Sequence, residues 1–189
     1  MNWLSKEHRL LYIVLLIGAF IFFKTVHLPR SGVIAVTITE QKGALAQLDT
    51  PRVPGTTSTI EVDTIDFAQG SQLEHKSLGR LGFQNNFFMD VLTLMQVEQA
   101  GEYLFFVTSD DGFRLKIDGK TVCEFPKDRA FITTTCRSPI TKGSHRLELS
   151  YFQGGGPMGL KAMYKYVKET KKHLIGDDSN NVSFEKVSK

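Results

Sequence analysis

Histidine clusters, nucleophile motifs and internal repeats are all missing from this chain of 189 residues. The histidines lack any close metal-ligand spacing, and Glu74-His75 is an isolated pair in an expected loop, a setting more typical of solvated side chains than of catalysis. We therefore expect that the protein is not an enzyme. The five histidines are His8, His27, His75, His145 and His173.

A large excess of charge is also missing. Lysine and arginine number 23 against 20 aspartate and glutamate, for a net charge of +3. The lysines are partly gathered near the C-terminus and do not alternate with aromatic residues, as they do in many nucleic-acid interfaces. The sequence therefore argues against a nucleic-acid partner.

The chain is long enough for one domain of ordinary size with short appendages. Its composition, 41% hydrophobic and 23% charged, excludes disorder throughout. The apolar residues are unevenly spread, because residues 10–23, LLYIVLLIGAFIFF, form an unbroken run.

This run predicts a transmembrane anchor. Lys24 can extend its amine to the interface, and the helix can continue to Leu28, so we place the anchor at 10–28 and a cytoplasmic N-terminus at 1–9. A cleaved signal peptide is the alternative, although no convincing small-x-small cleavage site follows the run. The basic residues on its two sides are nearly balanced, so they decide little about orientation.

The two cysteines favour an oxidising compartment. Cys123 and Cys136 fall in neighbouring segments and are expected to form a disulfide, with two unrelated buried thiols as the alternative. A bridge of this span would stabilise the fold by roughly 3 kcal/mol. The predicted localisation is a single-pass membrane protein with its N-terminus in the cytoplasm and its domain in the periplasm or outside the cell.

Alternating apolar residues predict an all-β fold. Phe113, Leu115 and Ile117 lie on one face of a strand, and Asp118-Gly119 then supplies a tight hairpin turn. Similar alternation marks 145–151 and 160–166, and 59–67 is expected to form a single strand. We predict an antiparallel β-sandwich over 29–167. The polar residues 168–189 are expected to form a disordered tail, with at most a helical turn at 168–172.

Two adjacent carboxylates, Asp110 and Asp111, follow one predicted strand and precede the next. Such a pair needs compensation from solvent, from a basic neighbour such as Arg114, or from a hard cation that takes oxygen ligands from both. A plain acidic turn and a metal site are both compatible with the residues alone.

The segment 103–120, YLFFVTSDDGFRLKIDGK, resembles the signature of the protective-antigen-type (PA-fourteen) domain family. A second segment, 140–152, ITKGSHRLELSYF, is similar to the closing part of that family's domain. A glycine-rich stretch, Gly154-Gly155-Gly156-Pro157, and then Gly159-Leu160 follow it. Two blocks in the right order make the match fairly specific. The resemblance covers about 32–167 and is weak before Asn86.

The resemblance implies a calcium-dependent carbohydrate site. In sugar-binding members, consecutive aspartates joined by a cis peptide bind calcium, which then accepts hydroxyls of a glycan, and Asp110 and Asp111 match those positions. A second loop completes the site, and here it lacks any Asp or Asn. The expected ligand-binding residues of that loop are Gln153, Gly154, Gly155 and Gly156.

The resemblance and the anchor together predict a membrane-anchored, extracytoplasmic module that binds a glycan or polysaccharide with the help of a calcium ion. The alternative is an accessory subunit of a membrane envelope complex, for polysaccharide synthesis or export, in which the domain contacts an integral membrane protein. The short connector after the anchor favours this alternative, because it keeps the domain beside neighbouring membrane proteins.

Overall fold

The structure, a computed structural model, describes residues 32–187. They form fourteen β-strands and no helix. The strands are β1 (Ile34–Gln41), β2 (Pro54–Val62), β3 (Asp66–Gly70), β4 (Glu74–His75), β5 (Gly79–Arg80), β6 (Phe87–Val97), β7 (Gly101–Asp110), β8 (Phe113–Ile117), β9 (Lys120–Phe125), β10 (Ile132–Ile140), β11 (Gly143–Gln153), β12 (Met158–Tyr166), β13 (His173–Leu174) and β14 (Val182–Glu185).

The strands form two antiparallel sheets. The first has the order β2-β1-β6-β11-β8-β9, with β14 also paired to β6, and the second has the order β10-β7-β12-β3-β4-β5, with β13 also paired to β12. The prediction of an all-β antiparallel sandwich is confirmed. The predicted anchor at 10–28 lies outside the described residues, and no helix within 32–187 is long and apolar enough to cross a membrane.

The core lies between the two sheets and follows the period-two pattern of the sequence. Phe113, Leu115 and Ile117 of β8 are buried, whereas Arg114 and Lys116 between them are partly exposed. The same alternation runs along β11 and β12. Because successive side chains of a strand point to opposite faces, these residues identify the core face directly. The hairpin is also confirmed, with Asp118 and Gly119 both at positive φ.

A disulfide joins the two sheets at their edges. Cys123 of β9 and Cys136 of β10 are bonded, with 5.5 Å between their Cα atoms. Since β9 belongs to the first sheet and β10 to the second, the bridge closes one side of the sandwich. The expected pairing of the two cysteines is therefore confirmed.

The predicted single strand at 59–67 is wrong in one respect. The chain leaves the first sheet after Val62 and enters the second at Asp66, so β2 and β3 belong to different sheets. Val62, Ile65 and Phe67 are nevertheless all buried, as the alternation predicts. The pattern identified the core positions but did not show the crossing between sheets.

The predicted disordered tail at 168–189 is also wrong for the residues that are described. β13 pairs with β12, and β14 pairs with the C-terminal half of β6, beyond the part of β6 that β1 covers. Ile175, Val182 and Phe184 are buried in the core. Strands of two and four residues contain too few positions to show a period, which is why the sequence pattern missed them.

Candidate functional site

The two aspartates lie at one end of the sandwich. β7 ends at Asp110 and β8 begins at Phe113, so Asp111 and Gly112 alone connect two strands that belong to different sheets. Both aspartates are nearly inaccessible, with 8% of Asp110 and 3% of Asp111 exposed. The peptide bond between them is cis, as the resemblance implies.

Hydrogen bonds from two side chains and one backbone N–H hold this connection. The Ser109 hydroxyl donates to the Asp111 carbonyl oxygen at 2.5 Å. The Tyr151 hydroxyl, which comes from β11, donates to the Asp110 carbonyl oxygen. The backbone N–H of Phe152 donates to the Gly112 carbonyl oxygen at 3.1 Å. With their backbone fixed in this way, the two carboxyl groups have little freedom to move apart.

The glycine loop, residues 153–157, lies directly against Asp111. The backbone N–H of Gly154 donates to Oδ2 of Asp111 at 2.8 Å. The Gly154 carbonyl oxygen accepts a hydrogen bond from the Asn86 N–H at 3.1 Å. The structure thus brings the predicted second loop to the predicted carboxylates, although the two are more than forty residues apart in the chain.

Gln153 departs from its expected role. Its side chain is fully buried, its Oε1 lies 2.6 Å from the Tyr151 hydroxyl, and its Nε2 donates to the Pro157 carbonyl oxygen at 3.1 Å. The amide therefore shapes the loop from inside and does not face a ligand. Gly155 and Gly156 are exposed, and Gly154 is partly exposed.

Two residues that the sequence analysis missed complete the surroundings of the aspartates. Asp128 lies near enough to Asp111 to raise the pKa of its carboxyl group. Arg129 donates through Nη2 to the Ser109 hydroxyl oxygen at 2.8 Å, and its guanidinium group lies 4.7 Å from the centre of the Phe125 ring. The signal that could have found both is their position in the charged segment Lys127-Asp128-Arg129, inside the loop that the two cysteines close.

The carboxyl groups of Asp110 and Asp111 are buried close to other negative charges, which raises the pKa of both. Burial above all, together with the neighbouring Asp128, raises the pKa of Asp111 to about 7, against the opposing effect of the Gly154 N–H. Burial also raises the pKa of Asp110, and the negative charge of Asp128 acts in the same direction. Both carboxyl groups are therefore harder to ionise than a free aspartate, and a bound cation would offset their negative charge.

These shifts predict that the calcium-free protein loses stability as the pH rises from about 4 to about 7. A raised carboxyl pKa contributes stability that is present below the unfolded-state value near 4 and is lost as the pH rises through about 7. The slope is at most about 1.4 kcal/mol per pH unit for one proton. The measurement is urea denaturation in chelator at several pH values.

The matched variants for this experiment are Asp111→Asn and Glu98→Gln. Asp111→Asn removes the titrating group and should flatten the profile. Glu98 is an exposed carboxylate in the β6–β7 turn, at the other end of β7, so its removal should leave the profile unchanged. Parallel profiles for the wild type and Asp111→Asn would contradict the prediction.

A cleft of about 600 Å³ adjoins the glycine loop. Its lining contains three side-chain amides and one hydroxyl but no charged residue, a composition suited to neutral hydroxyl-bearing ligands. The sequence gave no local signal for it, because three separate loops form its walls. The lining residues are Gln69, Gly70, Ser71, Gln84, Asn85, Gly156 and Pro157.

The site offers the oxygen donors that calcium prefers. Calcium takes six to eight oxygen ligands, preferably carboxylates and carbonyls. Asp110 and Asp111 provide the carboxyl groups, but within residues 32–187 no three His, Cys, Asp or Glu side chains are grouped so as to hold a metal ion. The oxygen chemistry fits calcium, and backbone, water or ligand oxygens must supply the remaining ligands. The metal-binding role of the two aspartates stays a prediction.

The fold and the position of the site define a PA14-like β-sandwich. No family model matches the chain, and no curated protein matches it in sequence. Among solved structures, the PA14 sugar-binding domain from an RTX adhesin is similar, with a TM-score of 0.60 and 19% identity over 76% of this chain and 94% of that one.

Two further structures share this fold. The PA14 domain of the antifreeze protein MpAFP has a TM-score of 0.61 and 15% identity, over 82% of this chain and 93% of that one. The epithelial adhesin 6 A domain from Candida glabrata, in complex with Galb1-3GlcNAc, has a TM-score of 0.56 and 13% identity, over 86% and 91%. At these identities the likeness establishes the fold alone.

Proposed function

We propose that this protein is a membrane-anchored, extracytoplasmic module that binds a neutral glycan through a calcium ion held by Asp110 and Asp111. The main support is one observation: two buried, mutually repelling carboxyl groups lie against a glycine loop that also lines an uncharged polar cleft. In this proposal the protein binds its ligand and catalyses no reaction.

A bound calcium ion would accept vicinal hydroxyls of a sugar as part of its oxygen shell. The residues of this chain have separate tasks around it. Asp110 and Asp111 would supply the negative charge that offsets the charge of the calcium ion. The Gly154 N–H orients the Asp111 carboxylate through its 2.8 Å hydrogen bond, and the Tyr151 hydroxyl fixes the backbone of Asp110.

The cleft suggests the class of glycan. Gln69, Gln84 and Asn85 present amide groups, each of which can donate and accept hydrogen bonds with sugar hydroxyls. No lysine or arginine lines the cleft, so a sialylated or uronic glycan would find no cationic partner there. We therefore propose a neutral oligosaccharide. The names of two structural neighbours, a sugar-binding domain and an adhesin complexed with Galb1-3GlcNAc, support a glycan ligand.

The anchor and the compartment belong to the same proposal. The apolar run of residues 10–23 would hold the domain at the outer side of a membrane. The disulfide between Cys123 and Cys136 supports an oxidising environment, because such bonds are rare in reducing compartments.

The test is calorimetric titration of calcium into the purified full chain, followed by a glycan panel with calcium or chelator. We expect one calcium site per chain, and binding of neutral glycans that disappears in chelator and returns with calcium. Magnesium should not restore it, because that ion is smaller and demands near-ideal octahedral geometry.

The contrary results are informative in different ways. Failure to bind calcium at millimolar concentrations would exclude the calcium site. Glycan binding that persists in chelator would show that the cleft binds glycan without calcium at Asp110 and Asp111. Absence of both activities would leave the accessory-subunit hypothesis, which capture of a membrane-protein partner by the full chain would test.

A further inference from the structure

Residues that follow β12 form another cavity, of about 680 Å³, which we call the C-terminal cavity. It lies at the other end of the sandwich from Asp110 and Asp111. Gly159, near the start of β12, pairs with Asp110, whereas Tyr166, the last residue of β12, pairs with Tyr103 at the far end of β7. The cavity is therefore separate from the aspartate pair. Its lining includes Lys168, Glu169, Lys171, His173, Ser179 and Asn180.

Glu169 lines this cavity with one carboxylate oxygen that has no donor. Its Oε1 accepts a hydrogen bond from the Asn181 side-chain amide at 2.5 Å. Its Oε2 is buried and is without a hydrogen-bond partner among residues 32–187. The Nε2 atom of His173 lies 4.0 Å from Oε2, which is too far for a hydrogen bond. A buried oxygen in this state is unfavourable unless water, an ion or a ligand supplies a donor.

The fold fixes the gap between these two side chains. The Glu169 N–H donates to the Tyr166 carbonyl oxygen at 2.9 Å, and the Lys165 amine donates to the Glu169 carbonyl oxygen at 3.0 Å. His173 begins β13, which pairs with β12, and its ring centre lies 5.6 Å from that of Tyr164. The gap is thus a built feature of the sandwich, as a ligand position requires.

The chemistry of the gap suits a primary ammonium group. Such a group has three N–H donors, so it can donate both to Oε2 of Glu169 and to an unprotonated Nε2 of His173. Its charge also strengthens the hydrogen bond to the carboxylate. Lys168 and Lys171 line the same cavity, are exposed, and have no ion-pair partner within the described part of the chain. They provide positive charge for an anionic group of the same ligand.

We propose that the C-terminal cavity binds a small zwitterion that carries a primary ammonium group and an anionic group. The ammonium group lies between Glu169 and His173. The anionic group lies beside Lys168 and Lys171. This site is independent of the proposed calcium site and of the glycan cleft. Phosphoethanolamine has the required chemistry, both as a soluble compound and as the headgroup of a membrane lipid.

The experiment is calorimetric titration of the purified full chain with phosphoethanolamine, and with phosphocholine as the matched ligand. Phosphocholine carries the same charges, but its methylated ammonium has no N–H to donate. The wild type should bind phosphoethanolamine roughly tenfold more tightly than phosphocholine. Glu169→Gln should lose this preference and bind phosphoethanolamine roughly tenfold more weakly. Glu40→Gln, an exposed carboxylate in β1, is the control and should not change the affinity.

A double variant tests the anionic half of the ligand. Lys168→Gln with Lys171→Gln should weaken phosphoethanolamine binding roughly tenfold. Lys42→Gln with Lys76→Gln makes the same change at two exposed positions outside the cavity and should leave binding unaltered. Thermal denaturation without ligand should show every variant folded. In Glu169→Gln, the new side-chain oxygen can still accept from Asn181.

A further titration distinguishes a soluble ligand from a lipid headgroup. The full chain in phosphatidylcholine nanodiscs is titrated with phosphoethanolamine, with or without phosphatidylethanolamine in the bilayer. Competition by the lipid would support the site with a headgroup as its ligand. Binding that the lipid does not change would support the site with a soluble ligand.

Three results would overturn the inference: no binding of phosphoethanolamine, equal affinity for phosphocholine, or equal affinity in wild type and Glu169→Gln. Water alone would then satisfy Oε2 of Glu169. Because the aspartate pair lies at the other end of the sandwich, none of these results would bear on calcium binding. The two proposals can therefore fail separately.

Discussion

The double variant Asp110→Asn, Asp111→Asn should bind calcium at least 100-fold more weakly than the wild type and should lose calcium-dependent glycan binding altogether. A 100-fold change corresponds to about 2.7 kcal/mol of binding free energy. The reason is charge: an asparagine amide oxygen can occupy the same place, but it provides no negative charge to offset the dehydration of a divalent cation. Calorimetric titration of the full chain measures the affinity.

The variant should nevertheless fold. The asparagine at position 111 can still accept the Gly154 N–H, and burial that disfavours a carboxylate no longer acts on a neutral amide. Thermal denaturation in chelator should therefore show a variant at least as stable as the wild type near pH 8.

The chain contains a matched control for this change. Asp177 and Asp178 are also consecutive, and both are exposed, in the turn that precedes β14. Asp177→Asn with Asp178→Asn makes the same chemical change elsewhere and should leave calcium affinity unaltered. Equal calcium affinity in the two double variants would show that Asp110 and Asp111 do not hold the ion.

Gly112→Ala and Gly154→Ala should each destabilise the domain by about 3 kcal/mol or more, at the upper end of overpacking effects. A Cβ on Gly112 would lie 2.5 Å from the Phe125 carbonyl oxygen and 2.7 Å from that of Lys127. A Cβ on Gly154 would lie 2.3 Å from the Leu45 carbonyl oxygen. Backbone oxygens cannot rotate away as a flexible side chain can, so loops around the site must shift. Urea denaturation measures the loss.

Gly155→Ala is the control, one residue further along the same loop. Its Cβ would meet only the Asn85 side-chain oxygen, at an ordinary 3.7 Å, so its stability should stay within about 0.5 kcal/mol of the wild type. Comparable losses in Gly154→Ala and Gly155→Ala would contradict the steric argument. Calcium affinity should fall in the two destabilised variants, because both contacts fix the loops around Asp111.

Much of the sheet structure could be predicted from the sequence. The alternation of Phe113, Leu115 and Ile117, followed by the Asp118-Gly119 turn, predicted a hairpin that the structure contains. The position of Asp110 and Asp111 after one buried strand placed them at an end of the sandwich. The disulfide between Cys123 and Cys136 was also expected.

The rest of the site depends on pairing between distant strands. Asp128 lies near Asp111 because β9 and β10 lie at the edges of opposite sheets, and no local pattern contains that information. Gln153 was expected to face a ligand, but its neighbour in space, the Tyr151 hydroxyl, is buried and engages the amide. The cleft beside the glycine loop likewise needs three loops from different parts of the chain.

By itself, the sequence determined several of the longer strands, which face of those strands enters the core, and which carboxylates stand together at a strand end. Steric alternation and turn geometry act over a few residues, so they can be read locally. Only the tertiary structure decided that the C-terminal residues complete both sheets and that Asp128 and the glycine loop meet the aspartate pair. Those contacts depend on the order and register of strands, which burial of the whole core selects.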